Sequence, residues 1–143
     1  MKTPRLELRF LGVPQVLLKG REIKLTRKST ALLAYVALEG ATPRETLAEL
    51  LWGGRSTQSS SGNLRRELHR LRETEVRDYL ETGGGTLHLK FFTVDTEDGA
   101  QPGEFLQGLQ LEDATEFEAW REGRNQQRVR SRLETLRRTA GSL

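Results

Sequence analysis

Three consecutive glycines, Gly83 to Gly85, join two short runs, Asp78 to Thr82 and Thr86 to Lys90, in the stretch "DYLETGGGTLHLK". Short apolar-polar runs joined by residues that tolerate positive φ form a β-hairpin, so this segment demands a two-stranded ribbon with a tight tip. The same glycines could cradle a phosphate, but no lysine-threonine or lysine-serine pair follows them and no helix begins there. The tight turn is the better reading.

What precedes the hairpin is helical. "STALLAYVALEG" is rich in helix formers, and Leu32, Leu33, Tyr35, Val36 and Leu38 leave most of its circumference to be covered, with Gly40 as C-terminal cap. "TPRE" follows: Thr42 as N-cap, Pro43 at the first helical position and Glu45 completing a capping box predict a helix from Pro43 to about Leu51. That helix ends against Trp52 and is broken by Gly53 and Gly54. The polar loop "GGRSTQSSSG" leads to a third helix starting between Thr57 and Gly62. At the other end, "LELRFLG" alternates Leu6, Leu8 and Phe10 with Glu7 and Arg9, and "PQVLLKGREIKL" supplies two more short strands around Gly20, which together predict a small antiparallel sheet. Helices followed by a glycine-tipped hairpin give the order of a winged helix. Any small α+β domain with a terminal hairpin is the alternative.

The third helix, within "SSSGNLRRELHRLRE", carries Leu64, Leu68 and Leu71 on one stripe at about 100° per residue. Its opposite side holds Arg66, His69, Arg70 and Glu73, with Ser59 and Gly62 earlier and Arg65 and Arg72 flanking the stripe. A planar guanidinium pairs bidentately with phosphate or with a guanine edge, and serines ahead of a helix can cap it or donate to phosphate. The plain alternative is a solvated face on which Glu67 and Glu73 pair with nearby arginines. Arg27 and Lys28 at the start of the preceding helix oppose its dipole, a conflict that a bound phosphate relieves, and Arg55 adds to the same basic block.

Charge is segregated along the chain. Residues 1–93 hold 16 Lys/Arg against 10 Asp/Glu, Val94 to Glu118 holds eight acids and no base, and from Ala119 onward seven arginines face two glutamates. A basic first block fits a polyanion, and the acidic middle should lie away from it. With no cysteine and only His69 and His88, a disulfide framework and a thiolate or histidine-rich metal site are excluded; no metal and no cofactor are expected. No catalytic motif surrounds either histidine, so an enzyme is not expected. No stretch reaches the roughly 20 apolar residues of a membrane span and "MKTPRLELRF" lacks a signal peptide's hydrophobic region, which places the expected chain in the cytoplasm.

"LELRFLGVPQVLLKGREIKLTRKSTALLAYVALEG", "LAELLW" and "NLRRELHRLRE" resemble the N-terminal DNA-binding domain of the Streptomyces antibiotic regulatory protein family, bacterial transcriptional activators built on an OmpR-type winged helix. "PGEFLQGLQLEDATEFEAWREGR" resembles the opening of the bacterial transcriptional activation domain, a tetratricopeptide-like helical array, that follows in that family. The resemblance implies an α+β fold: an N-terminal sheet, a three-helix core and a wing in residues 1–93, then an acidic linker and helical extension in 94–143. It implies a major-groove recognition helix at about Ser59 to Thr74 and a backbone-contacting wing at about Tyr79 to Lys90. Arg27, Lys28, Arg55, Ser59, Asn63, Arg65, Arg66, His69, Arg70, Thr82 and Gly84 become the residues expected at double-stranded DNA. The loop Trp52 to Ser61, with Trp52, Gly53, Gly54, Arg55 and Ser56 foremost, corresponds to the one that faces RNA polymerase in relatives. Two departures stand out. The wing reads "TGGGT" where many such wings carry an arginine for the minor groove, and the chain holds roughly one long helix where an activation domain is expected to need several repeats.

That last helix begins at about Thr115, capped by Asp113 or Thr115. Phe117 and Trp120 mark one face, and Val129, Leu133, Leu136 and Ala140 another, rotated by about half a turn. Either the helix kinks or frays past "REGRNQQR", where Gly123 weakens it, or the first face docks on the winged helix while Val129, Leu133 and Leu136 await another surface, either further helical repeats or a second copy in a homodimer. The chain is thus expected to be a sequence-specific DNA-binding transcriptional regulator and activator. The alternative is a winged-helix protein-interaction module that binds no DNA.

Overall fold

The computed structural model describes residues 3–97 and 103–141, apart from the side chains at 97, 132, 135, 136 and 138–141. Strand β1 (Leu6–Arg9) buries Leu6 and Leu8 and pairs antiparallel with β2 (Gln15–Leu18), Leu6 opposite Leu18 and Arg9 opposite Gln15. β3 (Arg21–Glu22) follows across a turn at Lys19 and Gly20, both at positive φ. The expected antiparallel three-strand sheet is present but is not complete in itself. β7 (Phe92–Val94) returns from beyond the hairpin and adds to β1 in parallel, giving the order β3-β2-β1-β7. Just past it, the Asp95 carboxylate accepts the backbone N–H groups of Phe10 (2.8 Å) and Leu11 (3.3 Å), which ends β1.

Helix α1 (Arg27–Glu39) starts earlier than the apolar run suggests, because Thr26 caps it: Oγ1 accepts the Ser29 N–H at 3.1 Å. Gly40 (φ +86°) closes it as expected, donating its N–H to the Val36 carbonyl.

Helix α2 (Arg44–Trp52) departs from expectation, since the capping box does not form. Thr42 and Pro43 instead make a short strand, β4, and the Thr42 hydroxyl donates to the Gly40 carbonyl. The physical reason lies in the hairpin. β4 pairs with its second strand, Thr42 opposite Leu87, and the first helical N–H, that of Arg44, donates to the Gly85 carbonyl at 3.0 Å. A distant backbone carbonyl has taken the role foreseen for a side chain.

Helix α3 (Thr57–Arg72) begins at the earliest point of its expected window, with Ser56 Oγ accepting the Ser59 N–H and the buried Ser60 hydroxyl donating to the Trp52 carbonyl. The long loop Trp52 to Ser61 is therefore corrected to Gly53–Ser56, and Trp52 lies in the core rather than facing a partner. The helix expected to run to about Thr74 likewise ends at Arg72, and Thr74 caps the 3-10 turn Glu75–Tyr79.

That turn absorbs Asp78 and Tyr79, so the wing starts at Leu80. Its strands are β5 (Leu80–Gly83) and β6 (Thr86–Leu89), with Gly83 opposite Thr86. The two-residue loop Gly84-Gly85 has φ of +61° and +80°, the double positive φ that a type I′ hairpin requires.

Leu64, Leu68 and Leu71 seat α3 on Leu32, Leu33, Leu47 and Leu51 in one core. That same core takes in Phe105, Leu106, Leu109, Leu111, Ala114 and Phe117. Residue 93, the expected domain border, falls inside β7, and the Leu106 N–H donates to the Phe10 carbonyl at 2.7 Å. Helix α4 (Thr115–Gly141) runs unbroken through Gly123. Neither expected residue caps it. The Ala114 carbonyl accepts the Glu118 N–H, while Asp113 turns its carboxylate towards Lys28. No helix among the described residues is long and apolar enough to cross a membrane.

Candidate nucleic-acid interface

The inward face of α3 is Ser60, Leu64, Glu67, Leu68 and Leu71, all buried. A helix with that stripe must turn Ser59, Arg65, Arg66, His69 and Glu73 to solvent, with Arg70 and Arg72 on the rims, and each of these is exposed. His69, Arg70 and Arg72 occupy the last turn, where cations complement the helix dipole, and no acid lies in the first turn.

Acids neutralise this face only in part. Glu73 pairs with His69 (3.1 Å) and Glu67 with Arg70 (3.1 Å). Arg66 is held by the neutral Asn63 amide oxygen at 2.6 Å, and neither Arg65 nor Arg72 has an ion pair or hydrogen bond among the described residues. Three arginines thus present charge that no neighbouring carboxylate offsets. Of the pairs expected on a solvated face, Glu67 with Arg70 and Glu73 with His69 are present.

At the wing, Thr82 and Gly84 are exposed at the tip. The wing's Lys90 and His88 are both occupied, since Glu81 accepts Lys90 at 2.6 Å and lies 3.1 Å from the His88 ring nitrogen. The Lys90 hydrogen bond holds the Glu81 carboxyl below its usual range. The tip is therefore neutral, and offers backbone and a hydroxyl rather than charge.

The remaining basic residues divide. Arg27 is exposed at the start of α1. Lys28, expected beside phosphate, is largely covered: Nζ pairs with Asp113 at 3.2 Å, donates to the Leu51 carbonyl and lies 5.1 Å from the Trp52 ring centroid. Arg55 reaches the same Asp113 at 3.8 Å. Part of the acidic segment expected to lie away from the basic block therefore folds back on it. Asp113, expected only as a cap of the last helix, instead pairs with this basic block. Gly54, Arg55 and Ser56 are exposed in the short turn, and Gly53 half-buried.

Trp120 seats α4 against α1, its ring centroid 4.9 Å from that of Tyr35 and 5.6 Å from those of Phe105 and Phe117. Glu39 Oε1 accepts both Trp120 Nε1 (2.8 Å) and Arg124 (2.7 Å). The hydrogen bond from Arg124, then that from Trp120, hold the Glu39 carboxyl below its ordinary 4.5. A carboxylate depressed in the fold stabilises it fully above the unfolded value, and that contribution is lost as pH falls through the folded value. Acidification below about 4.5 is therefore expected to loosen the Trp120 contact, seen as a shift in tryptophan emission that Glu39→Gln reduces. An identical acid response in the variant would show that Glu39 does not control the contact. Farther along α4, Val129 and Leu133 are exposed, and the side chains of Leu136 and Ala140 lie outside the described residues. Among the described residues, no group of three or more His, Cys, Asp or Glu side chains could hold a metal ion.

No protein-family model and no curated protein sequence matches the chain. Among solved structures, Mycobacterium tuberculosis EmbR in complex with a low affinity phosphopeptide is similar over 88% of this chain at 18% identity, with a TM-score of 0.62. The chain spans 43% of that protein's length, and the likeness is one of fold: an α+β winged helix with a helical extension.

Proposed function

We propose that the chain is the DNA-binding part of a transcriptional regulator of the Streptomyces antibiotic regulatory protein kind, reading duplex DNA with α3 and resting its wing on the neighbouring backbone. The observation that carries this reading is the outward face of α3, where Arg65, Arg66 and Arg72 stand without acidic partners on a helix fixed by a buried leucine row. Duplex DNA is the polyanion whose major groove admits such a helix. Arg65 and Arg72 meet phosphate, Arg66 and His69 face the groove with Ser59 and Asn63 beside them, and Arg27 meets phosphate from α1. Thr82 and Gly84 at the neutral wing tip approach the backbone closely. The exposed turn Gly54-Arg55-Ser56 is the surface available to RNA polymerase, which makes the regulator an activator. The likeness to EmbR supports the fold on which this reading stands; the phosphopeptide belongs to that protein.

Mobility shift against mixed genomic fragments tests the proposal. Retardation of a subset of fragments is expected, with log K falling against log salt at a slope of roughly −3 for the phosphate contacts of Arg27, Arg65 and Arg72. Fragments that all migrate freely at low salt would favour the protein-interaction reading instead.

A further inference from the structure

Among the described residues, Glu67 is the one buried charged side chain, and it lies on the recognition helix. An ionised carboxylate is costly to bury unless its lone pairs are engaged. Both oxygens are. Oε2 accepts the hydroxyls of Thr26 (2.6 Å) and Ser29 (2.7 Å), and Oε1 accepts Arg70 Nη1 at 3.1 Å. Thr26 in turn accepts the Ser29 N–H, so α1's cap, its first turn and the α3 carboxylate form a closed ring of hydrogen bonds. Packing alone would be served by another leucine beside Leu64 and Leu71. What the carboxylate adds is a hold on Arg70, whose side chain is 61% exposed while that of Glu67 is 6% exposed.

The arginines of this face therefore differ in kind. Arg65 and Arg72, without partners among the described residues, can sweep and follow a phosphate. Arg70 is anchored at one nitrogen with the rest of its fork open, and its charge is offset by Glu67. Bidentate pairing with guanine O6 and N7 needs a guanidinium plane of fixed orientation, which a tethered arginine supplies with less loss of freedom. An offset charge, in contrast, is a poor phosphate contact.

We propose that Glu67 is a positioning residue that holds Arg70 to read one guanine in the major groove. The proposal rests on the DNA-binding reading of α3 and names the base that reading leaves open.

Selection of bound duplexes from a random pool, with the full chain as wild type, Glu67→Gln and Arg70→Lys, provides the test. The wild type is expected to retain a guanine at one position of its site. Both variants should lose about tenfold in preference at that position, with the other positions and the salt slope unchanged. Glutamine has the volume of glutamate; should it nevertheless fail to fold, Glu67→Asp, which keeps the charge but withdraws it from Arg70, replaces it. Guanine preference retained by Arg70→Lys, or a uniform loss on all sequences with the slope smaller by about one unit, would make Arg70 a phosphate contact and overturn the proposal. Loss in Arg70→Lys but not in the Glu67 variant would remove Glu67 from the readout. Each of these leaves the DNA-binding reading standing, whereas a wild type that selects no sequence defeats that reading and this proposal together.

Discussion

Phe117→Ala is expected to destabilise the entire chain by about 3 to 5 kcal/mol, the usual cost of removing a fully buried aromatic ring from a core that cannot collapse around the cavity. Phe117 is 0% exposed and belongs to the same core as Leu8 of β1, Leu33 of α1 and Leu51 of α2, although it sits on α4. The effect should therefore reach the winged helix itself. Calorimetry is expected to show one transition lowered by about 10 °C or more. A variant in which the winged helix melts at its original temperature while only α4 loosens would show that the extension is an appendage rather than part of the core.

The second large effect concerns binding. Arg65→Ala combined with Arg66→Ala should weaken association with duplex DNA by about 2 to 4 kcal/mol and lower the salt slope by about one unit, for the phosphate contact of Arg65. Both side chains are exposed and neither contributes to the core, so the fold should change by less than about 0.5 kcal/mol per substitution. Filter binding at two salt concentrations, beside a thermal melt, separates the two quantities. Undiminished affinity in a folded double variant would remove these arginines from the interface.

Much of this architecture is legible in local sequence because the forces concerned are local. The leucines at 64, 68 and 71 recur at the helical period, and Leu6, Leu8 and Phe10 at the strand period, so each marks its buried face directly. The glycine triplet marks the hairpin because an L side chain is strained at the positive φ of Gly84 and Gly85. What escapes is decided over long distances. Thr42 and Pro43 satisfy every local rule for a helix start, yet β6, more than 40 residues later, draws them into a strand. β7 is a three-residue strand with one buried side chain, too short to show a period. Glu67 looks like an ordinary surface partner of Arg70 at i+3, and only the fold brings the hydroxyls of Thr26 and Ser29 to it from 41 and 38 positions away. Lys28 and Asp113 are separated by 85 positions, and the charge segregation along the chain points the other way, to an acidic segment apart from the basic block.

The central claim, that the outward face of α3 is the surface that meets duplex DNA, is tested most directly by following backbone amide resonances as a selected duplex is added. Perturbations should gather on residues 58–73 and on the wing tip at 82–86, fade as salt rises, and leave α4 beyond Gly123 unmoved. Perturbations confined to α4, or a spectrum indifferent to DNA at low salt, would contradict it.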